Sequence, residues 1–307
     1  VIAQRDLAKE MPLAFLWTGS RRETNGLDML KKASIPVFYT PNRLASGIRS
    51  LLDYHEWLGH RGQGGFPEIP AISAGQQAAI DKLAPTAGVA LSEHSSKRLI
   101  AEWGVPITSE TLVQNADAAV AAANEIGYPV AMKADVTDLP HKTDAGLVML
   151  GLKDEAAVRD SFQTIMSNAE KAGAAGDKFN GVTVQEMVMD GVEVIVGVSY
   201  DSQLGATILF GSGGVMVEVY NDVALRLCPI DKEDALGMIA DAKGAKLLEG
   251  FRGRPAADVD ALADTLVRVS QMAAQLEGSL AELDINPLMV LPKGQGVKAA
   301  DAVAVFQ

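Results

Sequence analysis

Short apolar runs and helical-period segments take turns along the first sixty residues. The run PLAFLWT (12–18) predicts a buried strand, with Gly19 and Ser20 as its turn. A short helix over 23–33 and a second strand over 35–38 follow. Thr40 then caps a helix whose first residue is Pro41, with Ile48, Leu51, Leu52, His55 and Leu58 down one face. This β-α-β-α order with short loops is the tail of a parallel, doubly wound sheet. Two strands make no stable sheet alone, so the remaining strands are expected before Val1 or in another chain.

Residues 61–88 hold five Gly and three Pro with one weak helical patch over 76–83, and read as a mobile linker. From Leu91 the pattern changes. Ser92 caps a helix ending at Trp103, and Asn115 or Asp117 opens an Ala-rich helix that Gly127 closes. A strand over 129–132 ends on Lys133, a polar loop follows, and a second strand runs over 147–150. A helix over 154–173 carries Val158, Phe162, Ile165 and Met166 as its core stripe.

Several strands then come in quick succession. GVTVQEMV (181–188) leads into Asp190-Gly191, a hairpin turn. The next strand alternates, with Val192, Val194, Val196 and Val198 on one face and Glu193, Ile195, Gly197 and Ser199 on the other. Strands over 206–210 and 215–219 flank Gly211-Ser212-Gly213-Gly214, and another lies near 224–229. Helices over 231–240 and 256–276 precede strands at 280–285, 288–291 and 297–300. This second part is α+β with antiparallel sheets.

Composition sharpens the division. Net charge is −12, made of +2 over residues 1–60 and −14 over 61–307, which places a domain boundary near residue 61. Such acidity argues against a nucleic-acid partner. No apolar run reaches the length of a membrane span. The lack of a secretory signal, and Cys228 as the one cysteine, point to the cytoplasm.

In an acidic chain each Lys on an apolar strand is informative. Lys133 closing a buried strand calls for a fixed anion, because a desolvated ammonium without a partner is costly. The loop His141-Lys142-Thr143-Asp144, then Gly146, can fold over phosphates. The same residues also read as a solvated hairpin loop, and the segment alone leaves both readings open. Glu186 and Glu193, expected on adjacent strands, can contact a ribose or orient a lysine, or simply occupy a wet sheet face. Alternation puts Glu282, Asp284 and Asn286 on one face, with Pro287 stopping the strand. Those oxygens, with Asp301 if the two last strands pair, make a site for Mg²⁺ alongside phosphate oxygens. The alternative is a polar face ending in a surface turn.

Residues 89–307 resemble the ATP-grasp domain of NDP-forming acyl-CoA synthetases, relatives of the succinyl-CoA synthetase β-subunit. The likeness is carried by GYPVAMK (127–133), HKTDAG (141–146), VQEMV (184–188), GVEVIVGV (191–198), FGSGG (210–214), VEVYNDVALRLCP (217–229) and ELDINPL (282–288). Residues 1–60 look like the end of the flavodoxin-like CoA-ligase domain that precedes ATP-grasp in single-chain members. The resemblance implies an α/β fold, an ATP-grasp domain of two subdomains behind that tail.

It also implies roles. Lys133, Lys142, Gly146, Gly213, Gly214 and Glu218 would line the nucleotide site, with Glu186, Met187 and Val188 at an adenine-binding hinge and Glu193 near the ribose and phosphates. Asn286 and Asp301 match Mg²⁺ ligands. His141 matches a histidine proposed to relay phosphoryl groups, and Arg226 is carried over as a second catalytic residue. Where the family often has another small residue after Gly146, this chain has Leu147. The implied reaction is carboxylic acid, ATP and CoA giving acyl-CoA, ADP and phosphate. ATP and Mg²⁺ would bind here and CoA mainly in an upstream CoA-binding half, in a homo-oligomer. The rival readings are an ATP-grasp carboxylate–amine ligase, a nucleotide-binding regulatory half without turnover, and a protein acetyltransferase fused to such a module.

Overall fold

The computed structural model describes residues 12–19, 25–64, 67–83, 88–136, 145–173, 179–213, 222–250, 253 and 255–307. They fall into two units, residues 1–66 and 67–307. In the first, β1 (Phe15–Leu16), α1 (Asn25–Lys32), β2 (Val37–Phe38) and α2 (Pro41–Gly64) follow the expected order, and the two strands pair in parallel. The strands are far shorter than the apolar runs that predict them. Thr40 Oγ1 accepts from Arg43 N at 3.4 Å, as a helix-capping residue does.

The second unit opens with α3 (Ala74–Leu83) and α4 (Glu93–Ala101). The expected mobile linker is thus partly ordered: Ala79 of α3 is buried, and Gln76 donates to the Glu102 carbonyl at 3.4 Å. Ser92 caps α4 through Ser95 N. Next come β3 (Glu110–Val113), α5 (Ala116–Ile126), β4 (Val130–Val136), β5 (Val148–Leu152), α6 (Glu155–Lys171) and β6 (Phe179–Glu186). Asn115 caps α5, and Gly127, at φ 97°, ends it as only glycine does cheaply.

These strands form an antiparallel sheet in the order β3-β6-β4-β5. One face carries Val130, Met132, Ala134, Val182 and Val184 onto Val120, Phe162 and Ile165 of α5 and α6. Lys133 does not close its strand; β4 continues to Val136, because Lys133 and Asp135 alternate onto the opposite, polar face.

A larger antiparallel sheet follows, built from β7 (Val192–Asp201), β8 (Gly205–Ser212), β9 (Val223–Leu227), β10 (Leu280–Val290), β11 (Val297–Ala299) and β12 (Ala302–Phe306). Its order is β11-β10-β7-β8-β9, with β12 also on β10. Helices α7 (Lys232–Asp241) and α8 (Val259–Gln275), with a 3₁₀ turn at Lys243–Leu247, cover one face. The Val194, Val196 and Val198 stripe is buried there with Leu262, Leu266, Val269 and Met272. Each such side chain contributes about 1.5–3 kcal/mol of transfer free energy.

Two expectations fail here for a common reason. Asp190-Gly191 makes no hairpin: β6 pairs with β3 and β4, whereas β7 pairs with β8 and β10 in the other sheet. Pro287 does not stop its strand; β10 runs through it with a register shift between Ile285 and Leu288. Long-range pairing overrides the local turn signal in both cases. The strand expected over 215–219 lies outside the described residues. Among the described residues no helix is long and apolar enough to cross a membrane.

Candidate functional site

The break in β10 creates the site. Strand β10 is edged by β12 along its first half and by β11 along its second, so the Ala300-Asp301 connection lies opposite the Asn286-Pro287 irregularity. Asn286 N donates to the Asp301 carbonyl at 3.2 Å, and Ala300 N to the Pro287 carbonyl at 3.0 Å. Asn286 and Asp301 are neighbours because two strand interruptions coincide.

The polar face of the small sheet reaches the same point. Lys133 Nζ donates to Glu93 Oε1 at 2.6 Å and to the Ala300 carbonyl at 3.1 Å, with Asp301 Oδ2 at 3.7 Å. Burial alone would lower the Lys133 ammonium, but the Glu93, Asp301 and Glu110 carboxylates outweigh it and hold it above the usual lysine value.

Behind Lys133 lies a second, fully buried cation that the sequence reading passed over. Lys97 Nζ pairs with Glu110 Oε2, meets Glu93 Oε1 at 3.4 Å, and donates to Gln185 Oε1 at 3.0 Å and the Ala300 carbonyl at 3.4 Å. Gln185 Nε2 donates to that carbonyl as well, at 3.1 Å. Glu110 Oε1 also faces His94 Nδ1 at 2.7 Å. The signal was available: Lys97 lies between Glu93 and Ile100 on the apolar side of α4.

Glu186 ends β6, and both its oxygens meet Lys298 Nζ of β11 at 2.6 and 2.7 Å. Its Oε1 also accepts from Ser109 N at 2.7 Å. The Lys298 pair ties the small sheet to the large one next to Met187 and Val188, the segment linking them. Val188, Met189, Glu193, Met289 and Val290 line a cavity of about 440 Å³. Glu193 is exposed on the open face of the large sheet, and Gly213 N donates to its carbonyl at 3.1 Å. A Cβ on Gly213 would lie 2.6 Å from that carbonyl oxygen, so only glycine allows the approach. Further along that face, Ser199, Glu282, Asp284 and Asn286 border a groove of about 440 Å³. Partial burial there pushes the Asp284 carboxyl up, against the hydrogen bond from Asn286 that pulls it down.

Arg226 does not join this group. It pairs in register with Ile208, whose side chain is buried under the helices, and its guanidinium bonds Asp241 at the end of α7 at 2.6 Å. Strand alternation thus sends it to the face opposite Glu193 and Asn286, not into the cleft expected for it. Gly146 has φ +66°, and its carbonyl accepts from Asn168 at 3.0 Å; Leu147 beside it is buried. His141, Lys142, Gly214 and Glu218 lie outside the described residues.

Asn286 and Asp301 supply two hard oxygen donors. No group of three or more His, Cys, Asp or Glu suited to a metal occurs among the described residues. Two oxygens alone hold Mg²⁺ poorly, yet they fit an ion whose other ligands are phosphate oxygens and water.

A family profile described as an ATP-grasp domain matches residues 84–305. The acetate–CoA ligase [ADP-forming] II subunit beta of Pyrococcus furiosus is 38% identical over 228 residues, covering 74% of this chain and 96% of that subunit. A trans-feruloyl-CoA synthase from an unknown prokaryotic organism is 35% identical over 300 residues, covering 98% of this chain but 40% of that protein. The chain therefore spans about two fifths of that longer relative. Among solved structures, an acetyl-coenzyme A synthetase 1 of Ca. Korarchaeum cryptofilum superposes with a TM-score of 0.63 at 34% identity, covering 76% of this chain and 98% of the other. That structure holds coenzyme A and Mg-AMPPCP, with a phosphohistidine segment pointing towards the nucleotide binding site.

Proposed function

The chain belongs to the ATP-grasp family, among the ADP-forming acyl-CoA ligases, and we propose that it forms the ATP-binding half of such an acid–thiol ligase. The reaction is carboxylic acid, ATP and CoA giving acyl-CoA, ADP and phosphate. One observation supports the reading: Lys133 Nζ from one sheet lies 3.7 Å from Asp301 Oδ2 of another, and the Asp301 backbone carbonyl accepts from Asn286 N beside it. An ammonium facing a carboxylate and an amide is the arrangement a magnesium-bound triphosphate needs.

In this reading the adenine enters the cavity beside Val188 and Glu193, read by the chain from Glu186 to Val188. Lys133 neutralises phosphate charge, and Lys142, Gly146, Gly213, Gly214 and Glu218 are the further nucleotide contacts the reading assigns. Asn286 and Asp301 would hold Mg²⁺, which would supply electrostatic stabilisation of the charge that develops on the transferred phosphoryl group. His141 is the phosphoryl acceptor: its neutral imidazole attacks the γ-phosphorus while the bond to ADP breaks. Arg226, on the far face, has no part in this step. The relay then carries the phosphoryl group to the acid in a CoA-binding half, where the CoA thiol displaces phosphate.

The flavodoxin-like identity of residues 1–60 and the linker role of 61–88 belong to the same proposal, as do a homo-oligomeric assembly and the cytoplasm, where ATP and CoA are at hand. The acid stays open, since the relatives act on acids as different as acetate and ferulate by their names. The test is to assay the chain with a CoA-binding half, a panel of acids, ATP and CoA. ADP and phosphate are expected with acyl-CoA, and AMP with pyrophosphate would exclude the reading. Full activity in His141→Ala would remove that histidine from the relay.

A further inference from the structure

The end of β8 is gripped from beneath by a buried carboxylate. Ser212, its last residue, stands opposite Val194 in register, so its side chain faces the helices. There its hydroxyl donates to Asp222 Oδ2 at 2.7 Å. Asp222 sits just before β9 and is buried. Its carboxylate also accepts from Lys243 N and Gly244 N of the 3₁₀ turn, at 2.7 Å each. The hydroxyl fits because residue 244 is glycine: a Cβ there would collide with Ser212 Oγ. All three of these partners donate to Asp222, and an ionised carboxylate accepts them without offering a proton of its own. Burial would raise the carboxyl, but the bonds from Ser212, Gly244 and Lys243 N and the Lys243 charge outweigh it and hold it below its ordinary value.

This grip lies one residue from a cavity wall. Gly213 follows Ser212 directly, and its N–H donates to the Glu193 carbonyl at 3.1 Å. Glu193 in turn lines the cavity beside Val188. We propose that Asp222 and Ser212 are positioning residues for the nucleotide: their clasp fixes the Ser212-Gly213 main chain against Glu193 and so sets that wall, without touching the ligand. The clasp has a firm anchor, because Leu248, just after the 3₁₀ turn, is buried in the core of the large sheet. Positioning of this kind matters at small displacements, since a shift of about 1 Å in a supporting element is enough to spoil a site.

The inference rests on the proposed reading of that cavity as part of the nucleotide site. Calorimetric titration of the full chain with Mg-AMPPNP, beside thermal melts, tests it without turnover. Ser212→Ala keeps the Cβ and deletes only the hydroxyl, so binding should weaken by about threefold to tenfold. Asp222→Asn turns an amide N–H towards at least one of the three donors and should weaken binding by about tenfold or more. Ser270→Ala is the control: it removes another buried hydroxyl, the acceptor for Ile230 N at 3.2 Å, from a part of α8 outside the cavity lining. It should lower the melting temperature and leave binding at the wild-type value. A clasp that only braces the fold would lower the melting temperature of Ser212→Ala without changing its affinity, which overturns the inference. Equal weakening in Ser212→Ala and Ser270→Ala also overturns it, because lost stability then sets the affinity. If Asp222→Asn fails to fold, Ser212→Ala against Ser270→Ala decides. A wild-type chain that binds no Mg-AMPPNP overturns both the inference and the nucleotide reading, whereas normal wild-type binding with an unshifted Ser212→Ala overturns the inference only.

Discussion

Lys133 Nζ and Asp301 Oδ2 stand 3.7 Å apart although they belong to different sheets, one to β4 and the other to the turn between β11 and β12. Neither sheet alone presents both charges, so the pair reports that the two are docked in register. In the proposed reaction Lys133→Met removes a cation aimed at developing phosphate charge. It should lower kcat/KM for ATP by about 10²–10³-fold, the usual cost of losing one preorganised stabiliser. Asp301→Asn should raise the magnesium concentration needed for half-maximal rate. Both are read from ADP release in the enzyme reconstituted with its CoA-binding half.

The Glu186–Lys298 pair is a separable link between the same sheets. Both side chains are partly shielded, so a double-mutant cycle with Glu186→Gln and Lys298→Met should give a coupling energy of about 1 kcal/mol in urea unfolding. Lys298→Met should also raise KM for ATP and leave kcat near wild type, because the proposed adenine hinge loosens while the proposed phosphate end is untouched. A fall in kcat with KM unchanged would place the pair in the chemical step instead.

Two glycines separate close packing from helix propensity. A Cβ at Gly213 meets the Glu193 carbonyl at 2.6 Å, and that backbone oxygen cannot move without opening the end of β7 against β8. Gly213→Ala should therefore destabilise by about 1–3 kcal/mol. Gly237 lies inside α7, where a Cβ would meet only the end of Arg226 at 3.8 Å. Gly237→Ala should stabilise by about 0.5–1 kcal/mol. Opposite signs in the two melting temperatures are the expected result.

What was legible from the sequence follows the range of the forces involved. Caps at Ser92 and Asn115 and the stop at Gly127 are local bonds, and all three stand where the residues put them. The Val192–Val198 alternation likewise needs only one strand and one buried face. Asp190-Gly191 misleads because a turn signal does not say which strand pairs with which. Arg226 misleads because its motif gives a position along the chain, whereas its face depends on register with Ile208. Lys97 was hidden by a composition habit: a lysine on a helix reads as solvated until Glu110 and Gln185, from two other strands, enclose it. Asn286 and Asp301 were legible as a pair only through the condition that their strands meet, and β10 with β11 supplies that contact.

Asp258 gives a pH-dependent prediction away from the cleft. Its carboxylate accepts from Ala261 N at 3.3 Å, capping α8, and from Gly294 N and Gly296 N at 2.9 Å each, which binds the β10–β11 turn to the helix. The bond from Gly296, opposed by burial and reinforced by Ala261, Gly294 and Lys293, holds its pKa below the ordinary 3.8. A carboxyl depressed in the folded state contributes fully when ionised in both states and loses that contribution as pH falls through the folded value. Asp258→Ala should thus cost about 1–2 kcal/mol near neutral pH, the range for a lost helix cap. The gap to wild type should hold steady down to about pH 5 and close progressively below 3.8. Urea unfolding of both proteins across that range measures it. A gap that stayed constant down to about pH 2 would mean that the ionised carboxylate is not what secures the turn.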